Sequence, residues 1–86
     1  MYKLLYTTQA KKDAKKINNS HLKHKVEQFL EILKINPLKN PPPFEELIGD
    51  LKGSYSRRIN IQHRLVYQVL EEQSIVKVLS MWDHYE

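Results

Sequence analysis

Near the N-terminus, Lys3-Leu4-Leu5-Tyr6-Thr7 is a short apolar run with aromatic and β-branched neighbours, the pattern of one strand. Thr7 or Thr8 then caps a helix whose narrow apolar stripe is Ala10, Ala14 and Ile17, with Lys11, Lys12, Lys15 and Lys16 facing outward. Asn18-Asn19 reads as a turn. Ser20 reads as the N-cap of a stronger amphipathic helix, in which Leu22, Val26, Phe29, Leu30 and Leu33 recur at three- and four-residue spacing until Pro37 ends it. Residues 36–43 hold all four prolines of the chain, so they predict a stiff surface loop; a polyproline ligand is the lesser alternative.

After Glu45-Glu46-Leu47-Ile48 the spacing changes from helical to short apolar alternation, punctuated by Gly49 and Gly53. Three strands are expected at about Ser54–Ile61, Arg64–Leu70 and Ser74–Trp82, with turns around residues 60–63 and 71–73. Connections this short join antiparallel neighbours, which makes the C-terminal half a β-meander. There is no room for a second sheet, so the helices must cover one face of this one. The expected fold class is α+β, a two-layer domain.

Side-chain alternation then sorts the two faces. Leu65, Tyr67 and Val69 are expected on the core side of the middle strand, and Arg64, Val66 and Gln68 on the side away from the helices. Ser56, Arg58 and Asn60 form the polar set of the preceding strand, which puts Arg58 and Arg64 together on the open face. Arg57 falls with Tyr55 and Ile59 on the opposite face and is expected to support structure or to add rim charge. In the last strand either alternating set satisfies the pattern as the inward one.

Eighty-six residues allow one domain, spanning 1–86. No cysteine is present, which excludes disulfides, thiolate metal sites and a cysteine nucleophile. Apolar runs never exceed three residues and the first residues lack a signal-peptide core, so no membrane association and a cytoplasmic location are expected. The net charge of +4 permits an anionic partner without demanding one. Its distribution is more informative, because all three arginines, Arg57, Arg58 and Arg64, fall within eight positions. Arginine grips phosphate or carboxylate with a planar, permanently charged fork, so this concentration marks a candidate anion site.

The candidate chemistry combines that arginine face with Glu45 and Glu46 at the end of the proline loop and with His84 and Tyr85 near the chain end. Transesterification of RNA needs a base for the 2′-hydroxyl proton, an acid for the 5′-oxygen and cations for the pentacovalent phosphorus. Glutamate, histidine and arginine supply those roles without a metal.

The blocks Ser56-Arg57-Arg58-Ile59 and His63-Arg64-Leu65-Val66-Tyr67, with His84-Tyr85 near the terminus, resemble the YoeB/Txe toxins of the RelE superfamily over essentially the whole chain. The resemblance implies a RelE-like fold and a bacterial toxin that cleaves mRNA in the ribosomal A site. It implies an endoribonuclease without cofactor or metal, neutralised by a cognate antitoxin of the YefM/Phd type and able to form a homodimer. In the family register the general base falls on Glu45, the general acid on His84, the phosphate ligand on Arg64 with Arg58 beside it, and a positioning group on Tyr85. The chain departs from the family pattern at Phe44 for a proline, Ile48 for a lysine, Trp82-Asp83 before the His-Tyr pair, and Glu86 after it.

Other candidates carry two readings. Trp82 either stacks a substrate base or closes the end of the core, and Lys11, Lys12, Lys15 and Lys16 form either a solvated face or a contact for ribosomal RNA. His63 borders a turn and is expected to be structural, Tyr67 to be core, and His21 and His24, spaced i, i+3 on a helix, to be exposed and without metal. Competing functions on the same scaffold are a non-catalytic inhibitor, like the ParE-type members that poison DNA gyrase, and an RNA-binding module without turnover. The ParE-type members lack the complete acid-base set.

Overall fold

Thr7 is where the chain turns from strand to helix, and its hydroxyl makes both connections. Oγ1 accepts the Ala10 N–H at 3.0 Å and donates to the Leu79 carbonyl at 2.8 Å, joining the start of the first helix to the last strand. The computed structural model describes residues 1–49 and 53–82. Its elements are β1 (Lys3–Tyr6), α1 (Thr8–Asn18), α2 (Lys23–Ile35), β2 (Glu45–Glu46), β3 (Ser54–Arg58), β4 (Arg64–Leu70) and β5 (Ile75–Ser80), with a 3₁₀ turn at Glu71–Gln73.

The strands form one five-stranded sheet in the order β1-β5-β4-β3-β2. The expected antiparallel meander is β3-β4-β5, in the register Arg58↔Arg64, Tyr55↔Tyr67 and Val69↔Val76. Two strands extend it. β1 adds parallel to β5, with Lys3 opposite Ile75, and the two-residue β2 adds antiparallel to β3, with Glu45 opposite Ser56. The sequence places Glu45 and Glu46 at the end of the proline loop; pairing with β3 makes them a strand.

Several boundaries differ from the sequence reading. β3 stops at Arg58 rather than Ile61 because Asn60 gathers the turn: its Oδ1 accepts the N–H groups of Gln62 and His63 at 2.8 and 2.7 Å. β5 begins at Ile75, after Ser74 has turned into the left-handed region with φ 54°, and ends at Ser80 rather than Trp82. Ser20 is not an N-cap. Its hydroxyl donates to the Ile17 carbonyl and accepts the Leu22 N–H, which closes the link between the helices, while α2 starts at Lys23 with no side-chain cap. His21 therefore lies in that turn and only His24 on the helix, both exposed.

The core is built from Ala10 and Ile17 of α1, Leu22, Val26, Phe29 and Leu33 at α2, and Leu65, Tyr67, Val76 and Val78 of the sheet. Both helices thus pack on one face. The uncertain phase of β5 has a physical cause: the ladder slips between Val66 and Tyr67, whose partners are Ser80 and Val78, so Leu79 is an extra residue. Val76 and Val78 face the core before the bulge and Met81 faces it after, although they belong to different alternating sets.

Asp13, which in the sequence merely interrupts a lysine cluster, is 1% exposed. Its carboxylate accepts the Met81 N–H and the Gln9 side-chain amide, each at 2.9 Å, and so ties α1 to the chain just after β5. Hydrogen bonds to charged acceptors contribute about 1.5–3 kcal/mol. Asp13→Ala is expected to lower stability by about 2 kcal/mol, or roughly 10 °C in Tm for a domain of this size. Asp13→Asn, which keeps a carbonyl for Met81, should lose less than half of that. Calorimetry on the three proteins checks both.

Candidate active site

The register of the sheet delivers the expected open face. Glu45 of β2 is opposite Ser56 of β3, and Ser56 is opposite Val66 of β4, so the three share one side. Two residues along each strand, Arg58 and Arg64 are directly opposite each other. Pro43, Phe44, Glu45, Ser56, Arg58 and Arg64 line a groove of about 200 Å³ on that side. At its centre the Arg64 Nη1 stands 3.9 Å from the Glu45 Oε1 and donates a long bond to the Ser56 Oγ at 3.4 Å.

Like charges directly opposite each other on a sheet are destabilising. Here Arg64 stands near the Glu45 carboxylate, which is 69% exposed while the Arg64 side chain is 16% exposed. An ion pair this open contributes at most about 1 kcal/mol, too little to account for a paired-arginine surface. Arg58 and Arg64 both line this groove together with the Ser56 hydroxyl and the Glu45 carboxylate, and guanidinium forks are the groups that bind phosphate or carboxylate in two-pronged fashion. Val66, opposite Ser56 on this side, is covered, at 1% exposed.

Arg57 points the other way, as the alternation requires, and is 0% exposed. Its Nε donates to the Tyr67 hydroxyl at 3.1 Å, Nη2 to the carbonyls of Pro37 and Lys39 at 3.0 and 2.9 Å, and Nη1 to the carbonyl of Pro42. The Tyr67 hydroxyl in turn donates to Pro37 at 2.8 Å. Burial pushes the Tyr67 phenol above its ordinary 10.0, against the opposing pull of Arg57, so it keeps the proton that this last bond needs. The Arg57 guanidinium also lies 5.1 Å from the Phe44 ring, whose edge packs on Tyr55 at 5.6 Å. Arg57 is therefore structural, as its alternation implies, and the proline loop covers the part of the sheet that the helices leave bare.

Trp82 is half-buried against the core, with its ring 4.2 Å from that of His63 and Lys16 Nζ 5.9 Å above it. The His63 Nδ1 meets the Trp82 carbonyl, so that nitrogen carries the proton. His63 thus ties the turn after β3 to the chain beyond β5, and Trp82 is not among the described residues that line the groove. His84 and Tyr85, with Asp83 and Glu86, lie outside the described residues. Lys11, Lys12, Lys15 and Lys16 are all exposed on α1. Sequence reading missed Ser56 as part of the groove floor and Arg57 as the anchor of the loop. Ser56 had a usable signal, since it shares the alternation of Arg58; the loop carbonyls had none.

Residues 4–85 match the family described as the YoeB-like toxin of bacterial type II toxin-antitoxin systems. Toxin YoeB of Streptomyces coelicolor is 44% identical over 41 residues, a match spanning 48% of this chain and 49% of that protein. Among solved structures, a YoeB/ParE toxin from Agrobacterium tumefaciens superposes with a TM-score of 0.87 at 28% identity, over 96% of this chain and 99% of that one. The toxin in a YoeB-YefM complex from Staphylococcus aureus superposes with a TM-score of 0.81 at 32% identity, over 99% of each chain. YoeB from the same organism is also known as a dimer.

Proposed function

Because this chain belongs to the YoeB-like toxins of bacterial type II toxin-antitoxin systems, we propose that its groove cleaves mRNA on the ribosome by attack of a 2′-hydroxyl on the adjacent phosphorus. The observation that carries the reading is the Arg58–Arg64 pair lining one groove with Glu45, 3.9 Å from Arg64. Glu45 takes the proton of the 2′-hydroxyl as the O2′–P bond forms. The P–O5′ bond breaks and the departing oxygen takes a proton from His84. Arg64 and Arg58 bind the non-bridging oxygens, whose charge grows in the pentacovalent transition state, and Tyr85 holds the phosphate or a base. The products are a 2′,3′-cyclic phosphate, or the 3′-phosphate it hydrolyses to, and a 5′-hydroxyl.

A groove of about 200 Å³ holds little more than a phosphodiester and its neighbouring sugar. That favours a substrate presented by the ribosome over one gripped along its length. The exposed lysines of α1 suit contact with ribosomal RNA, which would weaken steeply with salt. The Staphylococcus aureus relative is bound to YefM in one structure and dimeric in another, and we assign to this chain a YefM-type antitoxin and the capacity to dimerise. No helix among the described residues is long and apolar enough to cross a membrane, in keeping with action in the cytoplasm.

The test is to incubate purified protein with an mRNA under translation and with the same mRNA alone, then map the cut positions and end groups. Cuts at the A-site codon bearing cyclic or 3′-phosphate ends are expected. Ends bearing a 5′-phosphate would overturn the mechanism, and intact mRNA together with inhibited gyrase would move the protein to the ParE-type activity.

A further inference from the structure

The loop of residues 36–43 has an unusual hydrogen-bond balance. Four of its eight residues are proline, which offers a carbonyl and no N–H, so the loop carries an excess of acceptors that its own backbone cannot satisfy. Arg57 supplies the missing donors. It reaches the carbonyls of Pro37, Lys39 and Pro42 from inside the protein, and its Nε is held at the right angle by Tyr67.

The loop runs through Pro43 and Phe44 straight into Glu45. On its far side, among the described residues, Glu45 is secured by the short pairing of β2 with β3 and by the Leu47 N–H bonded to the Ser54 carbonyl at 2.9 Å. The near side is secured by Arg57, through the carbonyls and through the Phe44 ring 5.1 Å away. Arg57 is also the chain neighbour of Ser56 and Arg58, which form the floor and wall of the groove. One side chain thus fixes, from the core face, how the Glu45 segment sits against the arginine strand on the open face.

We propose that Arg57 is a positioning residue for Glu45, setting the distance between that carboxylate and Arg64. The inference rests on Glu45 being the base. A lysine at position 57 keeps the charge but has one nitrogen in place of a planar fork, so it cannot meet three carbonyls and a phenol together.

Single-turnover cleavage on saturating ribosomes should fall about tenfold in Arg57→Lys, since small misplacements of a reacting group carry penalties of this order or larger. Half-saturation should stay within about twofold, because Arg57 does not touch RNA. The effect should disappear in a Glu45→Gln background, where no base is left to position, and persist in an Arg58→Ala background. Amide exchange at Leu38, Lys39 and Leu47 should quicken while α2 stays protected. Should Arg57→Lys fail to fold, Tyr67→Phe loosens the same fork and should show the same coupling to Glu45 with a smaller fall.

An equal loss in the Glu45→Gln background would overturn the proposal, as would quickened exchange with an unchanged rate. If the wild-type protein cuts no mRNA on ribosomes, the nuclease reading fails instead. The link from Arg57 to the Glu45 segment is then decided by exchange at Leu47 alone, and unaltered exchange there rejects it.

Discussion

Arg64→Ala is expected to lower single-turnover mRNA cleavage on the ribosome by about 10² to 10³, the usual penalty for removing one preorganised donor at a site of developing charge. The position of the side chain favours a loss in rate over a loss in binding. Arg64 is largely shielded, its Nη1 is fixed between Ser56 and Glu45, and the Arg58 residue opposite it is exposed. A shielded cation acts through a lower effective dielectric than an exposed one, so its attraction for the growing charge is larger and less sensitive to salt. Arg58→Ala should instead raise half-saturation, and more so at low ionic strength. Parallel measurement of rate and half-saturation in the two variants separates these roles. Undiminished cleavage by a folded Arg64→Ala protein would remove Arg64 from the chemistry.

The largest stability effect is expected from Arg57→Met, about 3 kcal/mol and on the order of 15 °C in Tm. Two opposing effects decide its sign. Burying a guanidinium is costly, and replacing a complete buried ionic group by apolar side chains is often neutral or stabilising. Here the partners are backbone carbonyls and the Tyr67 hydroxyl, and no substitution at position 57 removes them. The Pro37 carbonyl keeps the Tyr67 hydroxyl, but the carbonyls of Lys39 and Pro42 and the phenol oxygen lose their donor; each acceptor shielded without one costs roughly 1–3 kcal/mol, and together these outweigh the recovered solvation of one charge. Arg58→Met, one residue along on the open face, should change Tm by no more than about 2 °C or raise it, because it relieves the like-charge pair. Thermal unfolding of both variants by circular dichroism makes the comparison. A Tm for Arg57→Met within a few degrees of wild type would show that water reaches the loop carbonyls.

The helices and the meander were legible in the sequence because each has a periodic apolar face: Val26, Phe29 and Leu33 at helical spacing, Leu65, Tyr67 and Val69 at strand spacing. The shared face of Arg58 and Arg64 followed from the same alternation. What escaped the pattern depends on partners distant in sequence. Glu45-Glu46 become a strand only through β3, and the bulge at Leu79 reverses the alternation that would have placed Met81 outside. Asp13 reads as a surface acid because nothing near it in sequence announces the Met81 N–H. Arg57 showed its face but not its purpose, since its acceptors are carbonyls, which every residue has. The family register added Glu45, His84 and Tyr85 to what alternation alone provided.

The edge position of β1 also bears on the timing of folding. Among the described residues Lys3 through Tyr6 find their strand partner in Ile75 through Val78, and the Thr7 hydroxyl bonds to the carbonyl of Leu79. β1 therefore has no place in the sheet until β5, the last strand in sequence order, has been made, and contacts of such long sequence separation close late. During synthesis β1 stays unpaired while α1, α2 and the strands β2 to β4 are made. The sheet is complete only when its first strand in sequence meets its last.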